Sequence, residues 1–254
     1  ADIRLGFDRA RAGDMQWLFT NHKIAARKNQ HVIDSFFGFT EALGIHERQL
    51  QWDIPIPDEA RKYADEKLPE GPFLVISPCS SMAYRNWSSS GYAAVAEHAI
   101  KHHGLKVVLC GGTTRLEWQY GAEIHARLDV AGCSASMTNL IGKSDLKQLL
   151  AILERAECLI SPDAGPAHLA TAVGTPVIGL YACTNPDRAR PYLSGKYVVN
   201  RYPEAVEARF GKPVEEMPWG TRVRDEGTMT RITVEDVCLA LHNLLKEKQG
   251  IQRE

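Results

Sequence analysis

From about Phe73 onward, short apolar runs rich in β-branched residues alternate with longer amphipathic stretches, and this restricts the fold more than any other feature of the chain. The runs are residues 73–78 (FLVISP), 106–110 (KVVLC), 139–141 (NLI), 158–162 (CLISP) and 176–181 (PVIGLY). They are nearly continuous in apolar residues, as expected of strands buried on both faces of a parallel sheet. Between them lie helical patterns. Ser88 or Ser89 is placed to cap residues 91–103, where Tyr92, Val95, Ala96, Ala99 and Ile100 recur at helical spacing. Residues 116–128, 146–156 and 167–173 follow in the same way. Thr233 opens an amphipathic helix through Lys248, with Val234, Val237, Leu241, Leu244 and Leu245 on one face. This rhythm predicts an α/β fold with a Rossmann-like, doubly wound parallel sheet.

The first 56 residues differ. They hold one candidate strand (IRLGF), a polar and basic stretch (NHKIAARKNQH), a helix over about 31–43, and a linker at 51–57 (QWDIPIP) whose prolines favour extended backbone. One strand and one helix cannot close a core of their own. Either they dock on the following domain or they are the tail of another.

Composition narrows the classes of function. Of 254 residues, 30 are Lys or Arg and 31 Asp or Glu, a net charge of -1 that argues against a partner of the nucleic-acid type. No run approaches the ~20 apolar residues that span a bilayer, and ADIRLGFDRARAG has no signal-peptide core. The six cysteines, at 79, 110, 133, 158, 183 and 238, are spaced too widely for a zinc site or a CxxC pair. They read as small hydrophobes in a reducing compartment, the cytoplasm.

Four strand ends carry polar groups. The strongest constellation is Ser161-Pro162-Asp163-Ala164-Gly165-Pro166-Ala167-His168, between a buried strand and a helix. Asp163 falls at the carboxyl end of the strand, Gly165 lets a ligand approach the backbone, and a helix start attracts phosphate. The plainer alternative makes Asp163 a helix cap and His168 a core-facing residue. A second strand ends in Cys110-Gly111-Gly112-Thr113-Thr114, followed by Glu117, which suits sugar hydroxyls or an ordinary turn with a solvated acid. The first strand is followed by Ser80, Ser81 and Arg85, hydroxyls and a planar fork suited to phosphate, with Trp87 as a hydrophobic plug. A further strand ends in Tyr181-Ala182-Cys183-Thr184, where Thr184 is a candidate phosphate donor or part of a turn. Taken singly, each plainer reading is the better one. Together they gather small, hydroxyl, basic and acidic groups at one sheet edge, as a nucleotide pocket requires.

Other chemistries lack their motifs. Gly142-Lys143-Ser144 ends like a P-loop, but Met137 stands where that motif needs glycine. There is no GxGxxG, GxSxG, HExxH or Asp-x-Asp, and adjacent His102 and His103 make a poor metal pair, so no metal is expected.

The order SPCSSMAYRNWS, VVLCGGTTRLE, LISPDAGPAHLATAVGTPVIGLYACTNP resembles the lipopolysaccharide heptosyltransferases, glycosyltransferase family 9, from Phe73 to about Tyr192 and more loosely beyond. The stretch from Ile3 to Ile45 is similar to the end of that family's amino-terminal domain. The resemblance implies two Rossmann-like domains across a cleft, the GT-B arrangement. The chain then divides into residues 1–56, a remnant of the acceptor-side domain plus linker, and residues 57–254, the donor domain. It implies inverting transfer of heptose from ADP-heptose, a substrate and not a cofactor, to a lipid-linked anionic sugar acceptor at the inner face of the inner membrane.

By that likeness Arg85 stands near the donor phosphates, where the family usually has Lys. Glu117 lies near the adenosine ribose, Asp163 at the donor sugar, the helix start from Gly165 to His168 at the diphosphate, and Thr184 in the matching turn. His168 either reaches a phosphate or braces the loop. Ala164 replaces a usual Ser or Thr, which bears on donor identity. The family's catalytic base lies in a Gly-Asp loop near the start of its amino-terminal domain, about a hundred residues before the part matched here. The chain is therefore expected to bind ADP and to transfer little or no sugar alone. Lys23, Arg27 and Lys28 are candidates for peripheral contact with an anionic membrane or acceptor, or form a solvated loop. Two alternatives stay open: a GT-B transferase or epimerase using a UDP- or GDP-sugar, and a nucleotide-sugar binding module without catalysis.

Overall fold

The computed structural model describes residues 1–251, which form two compact units. The smaller comprises residues 1–51 with 187–189, the larger residues 52–186 and 190 onward.

In the smaller unit two short strands, β1 (Leu5–Gly6) and β2 (His22–Lys23), pair in parallel. Helix α1 (Val32–Ala42) follows, its first turn capped by the His31 ring, which accepts from the Ile33 amide at 3.2 Å. Phe7 meets Phe39 edge-on at 4.9 Å, and Ile24 is the buried aliphatic side chain of the unit. The basic stretch is partly neutralised: Arg27 pairs with Glu41 at 2.8 Å, and Arg48 bridges Glu41 and Asp34.

The larger unit is built on a six-stranded, wholly parallel sheet. Its strands are β3 (Phe73–Ile76), β4 (Lys106–Leu109), β5 (Met137–Asn139), β6 (Cys158–Pro162), β7 (Val177–Tyr181) and β8 (Val199–Asn200). They lie in the order β5-β4-β3-β6-β7-β8. The winding therefore reverses between β3 and β6, which pair with Leu74 opposite Cys158 and Ile76 opposite Ile160. Four strands fall on the predicted runs, while β5 begins and ends two residues earlier than the run at 139–141 and shares only Asn139 with it. The two-residue edge strand β8 is not among them, because KYVVN is too short to show a period.

Successive side chains of a strand face opposite layers, so each strand serves two cores. Leu74, Ile76, Val107 and Leu109 pack with α3 (Ser89–His103), α4 (Arg115–Val130) and α9 (Val234–Ile251). Phe73, Val75, Val108 and Leu159 pack with α2 (Asp58–Lys67), α5 (Leu146–Glu154) and α6 (Gly165–Ala172). Helix α8 (Tyr202–Phe210) also belongs to this unit, whereas the short turn α7 (Pro186–Ala189) falls with the smaller one apart from Pro186.

Helix ends follow from local chemistry. Ser88, not Ser89, caps α3 by accepting from the Gly91 amide at 3.0 Å, and Gly104 ends that helix at φ 64°. Thr233 and Asp236 exchange hydrogen bonds at the start of α9. Helix α2 begins directly after the expected linker and has no counterpart among the predicted helices. It buries fully only Ala60 and Ala64, with Tyr63 half-buried beside them, so its apolar face is weak. All six cysteines are free thiols, and all but Cys238 are buried. No helix among the described residues is long and apolar enough to cross a membrane.

Trp87 is the predicted plug. Its ring is 3% exposed, meets Tyr92 edge-on at 5.1 Å, and donates from Nε1 to the Ile232 carbonyl at 2.9 Å. A Cβ on Gly91 would come within 2.6 Å of that ring. Gly91→Ala is therefore expected to lower the unfolding free energy by about 1–3 kcal/mol, read by urea denaturation.

Four imidazoles meet where α3 packs on α9. His98 lies 4.6 Å from His102 and 5.3 Å from His103, and His103 lies 5.8 Å from His242, ring centre to ring centre. Lys246 lines the same hollow. Burial, then the neighbouring imidazoles, lower the pKa of both His98 and His103 from the ordinary 6.5. Protonation thus favours the unfolded chain. The stability these two neutral rings contribute is complete above pH 6.5 and is lost as pH falls through their lowered values. Denaturation midpoints should fall between pH 7.5 and about 5.5, and the His98→Gln/His103→Gln double variant should flatten that slope.

Candidate functional site

A cavity of about 960 Å³ opens at the carboxyl edge of the sheet, where β3 and β6 diverge. Loops following a parallel strand all emerge at this edge, and the reversal of winding leaves a crevice between them. The loops after β3, β4, β5 and β6 line it.

The loop after β6 contributes Asp163, Ala164, Gly165 and His168. The loop after β3 contributes Ser80, Ser81 and Arg85. These segments are joined by an ion pair: Arg85 Nη1 lies 3.1 Å from Asp163 Oδ2 and donates to the Asp163 carbonyl at 3.3 Å. The two side chains are only 17% and 14% exposed. Tyr84 lies under the guanidinium, 5.6 Å from ring centre. Ser80 braces its own loop, its hydroxyl donating to the Met82 carbonyl and its amide to Asn86 Oδ1. Ser81 is exposed on the cavity wall.

Ala164 occupies the N-cap position of α6 and supplies no side-chain acceptor. Pro166 has no amide hydrogen, and the Ala167 amide turns back to the Ala164 carbonyl at 3.2 Å. The helix start therefore faces the cavity without the hydroxyl or carboxylate cap seen on α3, α4 and α5. An anion there would act as the cap. His168, one turn in, is open to the cavity. The protein around it lowers its pKa against the opposing pull of Asp163, which favours the neutral ring.

The loop after β4 brings Gly111, Gly112 and Glu117. Glu117 is both cap and cavity wall. Its Oε1 accepts from the Gly112 amide at 2.6 Å, and Oε2 accepts from the Thr114 hydroxyl at 2.7 Å, while Thr114 caps α4 in return. A Cβ on Gly112 would sit 3.0 Å from Glu117 Oε2, so the glycine is what lets the carboxylate fold back. Oε2 also accepts from the Thr114 amide at 3.2 Å, so Oε1, with one donor, is the oxygen that keeps a lone pair for a ligand hydroxyl.

The far wall, unforeseen from the sequence, is Ser144, Asp145, Leu146 and Leu149, with Leu116 opposite. Residues 142–144 stand out in the sequence only as a failed P-loop, although Asp145 three residues before Gln148 is a capping box that signals the start of α5. Leu116 and Leu146 are exposed, 37% and 69%, and make this end of the cavity apolar. Thr184 is the exception among the predicted residues: it is 7% exposed, forms a β-bridge with Arg222, and is not part of the cavity lining. Cys79 does line it, but burial pushes its thiol up to about 12, unreactive at neutral pH. No group of His, Cys, Asp and Glu among the described residues could hold a metal ion.

Strand order, reversal point and crevice define a domain of the doubly wound, Rossmann-like class. The family model described as glycosyltransferase family 9 (heptosyltransferase) matches residues 1–219, and the chain belongs to that family. It is 40% identical over 238 residues to the lipopolysaccharide core heptosyltransferase OpsX of Haemophilus influenzae, covering 93% of this chain and 67% of that protein. It is 24% identical to lipopolysaccharide heptosyltransferase 3 of Escherichia coli, covering 91% of this chain and 64% of that one. The fold is shared with the crystal structure of a family 9 glycosyl transferase from Veillonella parvula at TM-score 0.70 and 23% identity, over 97% of this chain and 68% of that one. The chain thus spans about two thirds of the length of the relatives it matches.

Because Glu117 closes the turn after β4, Glu117→Ala should lower the unfolding free energy by about 1 kcal/mol in urea titrations. Glu117→Gln, which keeps part of the hydrogen bonding, should lose less.

Proposed function

We propose that this chain holds the donor side of a heptosyltransferase and binds ADP-heptose in the cavity at the β3/β6 reversal. The arrangement that carries the reading is one arginine and one uncapped helix start facing the same space, an acid beside a glycine turn on one flank and an apolar wall on the other. The diphosphate lies between Arg85 and the start of α6 at the Gly165 amide, the nucleoside lies toward Leu116, Leu146 and Leu149, and Glu117 accepts from a ribose hydroxyl. Asp163 faces the sugar.

In the transfer, an acceptor hydroxyl attacks the anomeric carbon and the bond from that carbon to the diphosphate oxygen breaks. The hydroxyl proton passes to a base, and the diphosphate leaves with the bonding electrons. Charge develops on the departing oxygen, where Arg85 and the positive end of the α6 dipole lower its energy. No residue of the cavity is assigned the role of base. The proposed acceptor is a lipid-linked sugar of the lipopolysaccharide inner core, presented at the inner face of the inner membrane. The name of the Haemophilus influenzae relative, a core heptosyltransferase, supports that choice.

Calorimetric titration with ADP, UDP and GDP tests the reading. Saturable binding selective for ADP is expected, weakened at least tenfold in Arg85→Ala. Selectivity for UDP or GDP would transfer the site to another sugar nucleotide, and absence of binding by all three to the folded protein would refute it.

A further inference from the structure

The cavity is charged the wrong way for an anionic ligand. Its lining sets three carboxylates, Glu117, Asp145 and Asp163, against one arginine, Arg85, and the surroundings of His168 favour its neutral form. Two of the carboxylates are committed to backbone. Glu117 accepts from the Gly112 and Thr114 amides, and Asp145 accepts from the Lys147 and Gln148 amides, each at 2.8 Å, at the start of α5. Asp163 instead directs its charge at Arg85, the group an incoming phosphate needs. Both partners are largely buried, so whatever draws Arg85 away leaves a carboxylate poorly compensated beside the new anion.

We propose that Asp163 makes the site favour a glycosylated nucleoside diphosphate over the free nucleoside diphosphate, by exchanging Arg85 for the hydroxyls of the sugar. This rests on the reading of the cavity as a nucleotide-sugar site. A free nucleoside diphosphate brings a terminal phosphate that ionises further and no hydroxyl beyond it. It must take Arg85 from a carboxylate that then repels it. In a sugar nucleotide the terminal phosphate is esterified and carries less charge, and the sugar hydroxyls are donors that Asp163 can accept from when Arg85 moves to the phosphates. Discrimination arises from a repulsive element as much as an attractive one. Once the sugar has been transferred, its hydroxyls leave with it. Asp163 then takes Arg85 back, and the nucleoside diphosphate product is expelled.

The experiment compares the wild-type chain with Asp163→Asn, titrated calorimetrically with ADP and with ADP-heptose. The amide keeps the size and removes the charge, so ADP should bind at least fivefold more tightly while ADP-heptose binds more weakly. Misfolding cannot produce the tighter binding of ADP. If the amide does not fold, Asp163→Ser, which also removes the charge, is read in the same way. Unchanged or weakened ADP binding in the variant, with a wild type that binds ADP, overturns the exchange and leaves the nucleotide site standing. A wild type that binds neither ligand overturns both.

Discussion

Burial of both faces of the central strands is the constraint from which the site follows. Residues 73–76 and 158–162 are buried throughout, so neither strand can carry a polar side chain to a ligand from its middle except Ser161, which is itself enclosed. Polar function is displaced to the loops, and parallel winding sends those loops to one edge. The reversal between β3 and β6 then separates two of them far enough to admit a ligand. Arg85 and Asp163, 78 positions apart, meet there because the strands that precede them are hydrogen-bonded neighbours.

Caps and ligand groups are drawn from the same residues. Glu117 closes α4 and walls the cavity, and Asp145 caps α5 and lines the opposite side. Helix α6 departs from this economy: Ala164 supplies no cap. The helices whose starts are satisfied internally fix the shape of the crevice, and the one left uncapped turns its Gly165 end to the cavity.

Much of this is legible in the sequence where burial leaves a period. The runs 73–76, 106–109, 158–162 and 177–181 are apolar enough to announce themselves, and the loops after them stand out because polar groups recur at equivalent places. Three features are hidden for physical reasons. Helix α2 touches the core through two buried alanines and a half-buried Tyr63, too weak an apolar face to tell it from a polar helix or loop. Strand β8 is two residues long. The Ser144–Leu149 wall escapes notice because its residues face the cavity from the start of a helix, where leucine reads as core; Leu146 is 69% exposed. Thr184 misleads in the opposite direction. It follows a buried strand like the other site residues, but its backbone pairs with Arg222 and the polypeptide covers it. A hydroxyl after a strand has no marker in one dimension that tells solvent from a covering segment.

The indole hydrogen bond from Trp87 to Ile232 joins two distant stretches: the loop that carries Arg85, two residues earlier, and the approach to α9. Cys183 fixes the same loop from another side, its thiol donating to the Tyr84 carbonyl at 3.1 Å. The end of this loop next to Arg85 is held by a buried ring and by the segment that leads into the last helix. The backbone on either side of Arg85 is thus tied to the core, at Tyr84 and at Trp87. An exchange of partners at Arg85 would then involve the side chain alone, its backbone being held from both neighbours.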